Sequence, residues 1–294
     1  METIKVLITG AHGFLGSSLV SYFERFNLFA YQNPQLYPQH LEIIPLSRKE
    51  LDLTNKNQVD EFFKSNKIDI VLNTSALGGK RKIIDKQDIV YDNILMFENL
   101  ARHNDKFKFM VNFGTGAELD REQGFSNVSE EEVINRLPLD YYGFSKNIIA
   151  KRIIDLNTNI HNFRIFNVFS ESEISDRFIK SNILNYNKKE PIIIHQNKYF
   201  DFFWIYDIIQ VINHYIQNYN ENLPKTLNMV YKNKKTLYDV ASFINTLDLH
   251  EVPINIIDNN PGPAYTGNSN QIDLLGINFV GLETGIKEVY NRLK

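Results

Sequence analysis

A tyrosine and a lysine four positions apart, Tyr142 and Lys146, lie in the stretch Asp140-Tyr141-Tyr142-Gly143-Phe144-Ser145-Lys146. On a helix that spacing puts both side chains on one face, one turn apart. A free phenol titrates near ~10 and is a poor acid–base group at neutral pH. An adjacent ammonium favours the phenolate and draws the group toward neutrality, so the pair suits proton transfer. A second chemistry is written in Lys5-Val6-Leu7-Ile8-Thr9-Gly10-Ala11-His12-Gly13-Phe14-Leu15-Gly16. An apolar run leads into glycines at three-residue intervals and then into helical sequence. Lacking a Cβ, Gly10 can take a tight turn, Gly13 lets backbone N–H groups approach a diphosphate, and Gly16 lets helix and strand pack closely. The helix N-terminus adds unpaired N–H groups and positive dipole charge facing that anion. In the first strand of an α/β pattern, such a turn reads as a dinucleotide site.

The elements that must position these groups follow in order. A first helix is expected over residues 14–23, a surface excursion over 26–40 and a second strand over 42–46. Ser47 and Arg48 close that strand, where an acidic side chain would bond a ribose 2′-hydroxyl. Arginine there suits a 2′-phosphate, pairing bidentately with its oxygens; a solvated surface arginine is the alternative. Thr54 or Asn55 can cap a helix near 58–65. A strand over 68–72 runs into the small residues Asn73-Thr74-Ser75-Ala76-Leu77-Gly78-Gly79, which suit a crevice for a flat cofactor. A helix over 82–103, a strand over 107–113, a helix to about 156 and a strand over 162–166 complete a β-α-β-α-β-α-β succession. That succession predicts a doubly wound parallel sheet of Rossmann type with right-handed crossovers. The run Glu130-Glu131-Glu132 reads as a solvated helix start.

After Asn167 the strands shorten and aromatics gather at Tyr199, Phe200, Phe202, Phe203, Trp204 and Tyr206. Helices are expected over 177–186, 207–217, 237–246 and 284–292. The division is a dinucleotide-binding domain over 1–166 and a smaller, mainly substrate-binding region over 167–294, interleaved with the sheet around 201–230. Trp204 and its neighbours can stack on a nucleobase or fill the core.

Composition removes several classes. With 294 residues the chain can bury a sizeable core. A net charge of −3 argues against a nucleic-acid binder working by bulk charge. The absence of cysteine excludes disulfides, thiolate metal sites and a cysteine nucleophile, and the seven histidines show no metal-ligand spacing. Neither a secretory leader nor an apolar run near ~20 residues is present, which predicts a cytoplasmic protein without a membrane partner.

Over nearly its whole length the sequence resembles the extended short-chain dehydrogenase/reductases (the epimerase/dehydratase family), which modify sugars carried on nucleoside diphosphates. The likeness rests on the Gly10–Gly16 turn, on Tyr142-Gly143-Phe144-Ser145-Lys146, and on Leu275-Gly276-Ile277 followed by Gly281-Leu282-Glu283-Thr284-Gly285-Ile286. Residues 47–53 and Ala76-Leu77-Gly78-Gly79 are most similar to GDP-fucose synthase-like nucleotide-sugar reductases. The resemblance implies a homodimer in which NADP(H), rather than NAD(H), serves reduction of a 4-keto group on a nucleotide-linked deoxysugar for glycan synthesis. It implies Tyr142 as proton donor, Lys146 as its partner and Thr115 as the hydroxyl that bonds the reacting oxygen. Cofactor contacts would come from Gly10, His12, Gly13, Phe14, Leu15, Gly16, Ser47, Arg48, Asp52, Leu53, Ser75, Ala76, Leu77 and Asn93 together with Tyr142 and Lys146. Asn167, Arg177 and Lys198 would hold substrate, Lys198 because Phe200 stands where relatives commonly carry an arginine.

Two departures qualify the likeness. GDP-fucose synthases epimerise with a cysteine and a histidine before reducing, and Ala117 occupies about the cysteine's place here. Reduction is what remains of that pair of reactions. In another register the family's Ser/Thr falls on Gly116, with Ser75 as a substitute donor. A nucleotide-sugar epimerase with tightly held NAD and a non-catalytic cofactor-binding scaffold stay open as alternatives.

Overall fold

In the computed structural model, which describes residues 2–32, 39–80 and 83–294, strand β1 (Glu2–Thr9) buries Ile4, Val6, Leu7 and Ile8. Consecutive apolar residues are buried in this way when a strand is covered on both faces, as parallel sheets are. The chain continues through α1 (Phe14–Gln32), β2 (Gln39–Leu46), α2 (Lys56–Ser65), β3 (Ile70–Asn73), α3 (Asp88–Ala101) and β4 (Phe109–Thr115). A 3-10 turn over Gly116–Leu119 leads to β5 (Phe125–Val128), α4 (Tyr141–Asp155) and β6 (Ile160–Ile165). Next come β7 (Val168–Phe169), α5 (Phe178–Asn187), β8 (Ile192–Gln196), β9 (Phe203–Trp204), α6 (Ile205–Asn218) and β10 (Thr226–Met229). The last elements are α7 (Leu237–Ile244), β11 (Ile254–Asp258), β12 (Tyr265–Gly267), α8 (Asn270–Asp273) and α9 (Leu282–Leu293).

Six strands form a central parallel sheet in the order β10-β6-β4-β3-β1-β2, as the doubly wound reading requires. β1 pairs with β2 on one side and β3 on the other, and their registers set Thr9 against Leu46 and against Asn73. The strand order thus reverses at β1. Ligands of open α/β sheets bind at such a switch point, beyond the carboxyl ends of the strands.

The chain divides into two compact units. The first comprises Met1–Leu119, Val133–Phe163 and Asn218–Thr226. Its core gathers Leu7, Val71, Phe97, Leu100, Met110 and Ile153. Helix α2 enters it through Val59 and Phe63, one turn apart, after Asn55 accepts the Gln58 N–H as N-cap. Thr54 instead donates its hydroxyl to Asp52.

The second unit comprises Asp120–Glu132, Arg164–Gln217 and Leu227–Lys294. It holds three parallel strand pairs, β5–β12, β7–β9 and β8–β11, too short to carry a period. Its helix α6 buries Ile205, Ile208, Ile209, Ile212, Tyr215 and Ile216. Thr236 and Asp239 close a capping box on α7.

Three expectations are corrected. Helix α1 runs on to Gln32, past residue 23. Tyr22 and Phe26 stack across one turn at 6.3 Å, and Asn27 bonds the backbone of Leu41 in β2, which extends the helix into the expected excursion; residues 33–38 of that excursion lie outside those described. Helix α3 starts at Asp88 rather than 82, and residues 81–82 also lie outside. Glu130 is buried rather than solvated: it accepts the Asn228 N–H at 2.9 Å, and its carbonyl accepts the guanidinium of the fully buried Arg164. Desolvation there raises its pKa against the pull of Arg164. Among the described residues, no helix is long and apolar enough to cross a membrane.

Leu100 is wholly buried at the centre of the first unit's core. Leu100→Ala is expected to lower the unfolding free energy by roughly 2–5 kcal/mol, measured by denaturant titration.

Candidate active site

At the carboxyl ends of β1, β2 and β3 a cavity of about 220 Å³ opens among Gly10, Gly13, Ser47, Arg48, Ser75 and Ala76, with Leu46, Leu51, Leu53, Leu77 and Met96 as apolar lining. All of these residues belong to the first unit. The turn that floors it is closed by the Gly13 N–H on the Gly10 carbonyl at 2.9 Å, and Ser17 continues the helix onto Gly13. Gly16 sits where a methyl group would lie 2.4 Å from the Gly10 carbonyl and 2.8 Å from the Thr74 hydroxyl. This close approach is what the third glycine permits.

Arg48 projects from the end of β2, 61% exposed, and its guanidinium meets Asp52 at 3.4 Å. Asp52 also takes the Thr54 hydroxyl at 2.7 Å, and that bond, ahead of the Arg48 charge, holds its carboxyl below the usual range. Ser47 is turned to Glu50 through both its N–H and its hydroxyl. His12, Phe14, Leu15, Gly16, Asp52 and Asn93 stand outside the cavity lining, and Thr9, Leu46, Leu51, Thr74 and Met96, which are not among the expected cofactor contacts, stand within it. Asn93 is buried: its carbonyl accepts the Leu77 N–H at 2.8 Å, and its amide donates to the Leu77 carbonyl and the Ser145 hydroxyl, each at 3.0 Å. It ties the loop after β3 to helix α4.

That helix begins at Asp140, whose carboxylate accepts the Gly143 N–H at 2.8 Å. One turn in come Tyr142, half-buried, and Lys146, which is only 3% exposed. The tyrosine ring lies against Gly79. There φ is +71° and an added Cβ would fall 2.9 Å from the ring, so a side chain is opposed by backbone and space alike. The Lys146 ammonium donates to the Phe113 carbonyl at 3.1 Å. Burial lowers its pKa from 10.5 to about 8, while the charge of Glu118 works in the opposite direction.

Thr115 ends β4. Its hydroxyl oxygen accepts the Ala117 N–H at 3.2 Å, leaving the hydroxyl hydrogen to be donated elsewhere. Gly116 opens the following 3-10 turn. Two neighbours escaped sequence reasoning. Glu118, wholly buried, accepts the Thr115 N–H at 2.9 Å, and Asn162 in β6 donates to the same carboxylate. The available signal was a polar residue interrupting an apolar run, which many solvent-facing positions share.

The three residues expected to hold substrate belong to the second unit. The Asn167 carbonyl accepts the Phe203 N–H at 2.8 Å. Arg177 occupies the N-cap position of α5, 4.0 Å from Glu173. The Lys198 ammonium lies over the Phe200 ring, 5.4 Å from its centroid. Trp204 is packed into the core against Tyr206 and Gly285.

Fold and crevice together define an α/β protein of Rossmann type with a glycine-floored cleft at the switch point of its sheet. The chain belongs to the NAD dependent epimerase/dehydratase family, whose profile matches residues 6–229. No curated protein sequence matches it significantly. Among solved structures it is similar to a GDP-mannoheptose C4 reductase from Campylobacter jejuni with NADP bound, at a TM-score of 0.80 and 18% identity, covering 100% of this chain and 99% of that one. A dTDP-4-dehydrorhamnose reductase from Bacillus anthracis in complex with NADP matches at 0.75 and 20%, covering 99% of each chain. A GDP-L-fucose synthetase from Naegleria fowleri matches at 0.74 and 13%, covering 99% and 92%. At these identities the likeness is one of fold.

Replacing Asn93 by leucine removes the acceptor of the Leu77 N–H and its tie to α4. A buried hydrogen bond is worth roughly 1–1.5 kcal/mol net, so hydrogen exchange at the Leu77 amide should quicken by about tenfold, with amides in β1 unchanged.

Proposed function

We propose that this protein reduces a 4-keto group on a nucleoside-diphosphate-linked (deoxy)sugar with NADPH, supplying precursors for surface glycans. The observation that carries the reading is a half-buried tyrosine one helical turn from a buried lysine, in the same unit as a glycine-floored crevice at the sheet's switch point. The bound NADP recorded for the C. jejuni and B. anthracis reductases supports the choice of cofactor, as does an arginine rather than a carboxylate at the end of β2.

The crevice fits such a dinucleotide. Backbone N–H groups at Gly10–Gly13 and the N-terminus of α1 would hold the diphosphate, Arg48 the 2′-phosphate, and Ser75, Ala76 and Leu77 one wall. Held there, the cofactor's nicotinamide would supply the hydride for reduction of the ketone carbon. Tyr142 gives its proton to the substrate oxygen, and Lys146, charged below a pH of about 8, steadies the phenolate left behind. The Thr115 hydroxyl donates a hydrogen bond to the same oxygen, a preorganised dipole aimed at developing charge. Arg177 and Lys198, with Asn167, are assigned to the substrate. Ala117 and the absence of cysteine count against thiol-based epimerisation. The reading includes a cytoplasmic location and a homodimer formed through α3 and α4, where Tyr91 is 69% exposed. Light scattering tests the dimer.

A panel of nucleoside-diphosphate 4-keto sugars, assayed for NADPH oxidation, tests the activity. Tyr142→Phe should reduce turnover at least about a thousandfold while NADPH affinity stays within a few-fold; retained turnover removes the assignment. Arg48→Ala should weaken NADPH binding about tenfold or more and leave NADH binding nearly unchanged. Protein that instead purifies with NAD and needs none added is an epimerase.

A further inference from the structure

We propose that Glu118 is a positioning residue: its carboxylate is the buried counter-charge of Lys146 and the anchor of the Thr115 turn, held in place by a row of amides that crosses the sheet from the dinucleotide turn. The inference rests on the proposed proton-transfer role of Lys146 and adds to it the group that keeps this lysine charged.

The row is continuous. The Thr9 hydroxyl donates to the Asn73 carbonyl at 2.8 Å, the Asn73 amide to Asn112 at 3.0 Å, and the Asn112 amide to Asn162 at 2.9 Å. The Asn162 amide then reaches both Glu118 carboxylate oxygens, at 3.4 and 3.3 Å. Its members come from β1, β3, β4 and β6, and the strand registers set Thr9 against Asn73 and Asn73 against Asn112. Every bond in the row runs one way, each amide pointing its N–H₂ toward Glu118, so that aligned in one direction they polarise one another.

The protein also leaves room for this carboxylate. At Gly114 a Cβ would fall 2.2 Å from the nearer Glu118 oxygen and 2.6 Å from the Asn162 carbonyl oxygen. Glu118 and Lys146 are both buried and meet at the end of β4: Lys146 donates to the Phe113 carbonyl, Glu118 accepts the N–H of Thr115 two residues on, and Asn147, next to the lysine, donates to the Glu118 carbonyl; two desolvated charges of opposite sign are tolerable where either alone is not. The charge of Glu118, from the turn after β4, bears on Lys146 and favours its ammonium, and β4 itself contributes the Phe113 carbonyl. The other end of the row is Thr9, whose carbonyl accepts the Thr74 hydroxyl beside Gly10. One hydrogen-bonded line therefore joins the turn that would hold the diphosphate to the carboxylate that anchors the Thr115 turn.

The test is an NMR titration of ¹⁵N-lysine protein, with the Lys146 ammonium signal identified by its loss in Lys146→Met. In the wild type the midpoint is expected near 8. In Glu118→Gln, which keeps the size and loses the charge, it should fall by about one pH unit or more. The alkaline limb of NADPH oxidation should move with it, a shift that a merely structural role would not produce. An unmoved midpoint in folded Glu118→Gln overturns the inference. Thermal melts of the double variant keep the test decisive if Glu118→Gln folds poorly. Removing both charges should recover part of the melting temperature lost with Glu118 alone, and additive losses overturn the pairing. Energy transfer from Trp204 to NADPH separates this outcome from failure of the parent reading. A wild type that binds no NADPH refutes the proposed cofactor, whereas binding by every variant with an unmoved midpoint refutes only the role of Glu118.

Discussion

An ammonium taken out of water keeps its proton only where the protein supplies substitutes for the solvent it lost. Lys146 has two, a backbone carbonyl from β4 and the field of a carboxylate buried with it. The rest of the site is arranged around that exchange. Helix α4 is capped by Asp140 so that its first turn is rigid where Tyr142 departs. Asn93 bonds Ser145 between tyrosine and lysine and grips the loop that carries the wall of the crevice. Asn147 donates to the Glu118 carbonyl, fastening the helix to the turn after β4. Each of these bonds bears on how the first turns of α4, with Tyr142 and Lys146 on them, are set against the turn after β4 and the loop after β3.

What could be read in the chain beforehand was what sequence-local physics dictates. Three glycines at fixed spacing after an apolar run announce a turn with no tolerance for side chains, and Gly16 meets that demand within 2.4 Å of a carbonyl. Continuous burial along β1, β3 and β4 announces a parallel sheet. A four-residue interval between Tyr142 and Lys146 announces one helical face. Asn73, Asn112, Asn162 and Glu118 are illegible in the same text because nothing local relates them. They lie up to 89 positions apart by number, and strand register together with the turn that carries Glu118 brings them into line. Gly79 is a partial case: its place in a small-residue loop is evident, but its purpose, leaving space for the tyrosine ring, depends on a helix more than 60 positions later.

The same distinction explains where expectation and structure parted. Glu130 opens an acidic run that looks solvated, yet the buried Arg164 and the Asn228 amide provide an interior polar environment for it. Helix α1 outlasts its apparent boundary because Asn27 finds the backbone of β2. Partners distant in the sequence outweigh local preference in both. Trp204 and the aromatics around it serve the second unit's packing, with Gly285 thinned to admit the indole.

The glycine that faces the buried carboxylate carries an evolutionary consequence. A methyl group at residue 114 would collide with Glu118, while a shorter residue at 118 would leave a hole and a neutral one would take away the charge that favours the ammonium. Neither position can drift by itself without loss, so their histories are bound together. Descendants that abandon the carboxylate should fill residue 114 in the same lineage and trade away the lysine's charge as they do so.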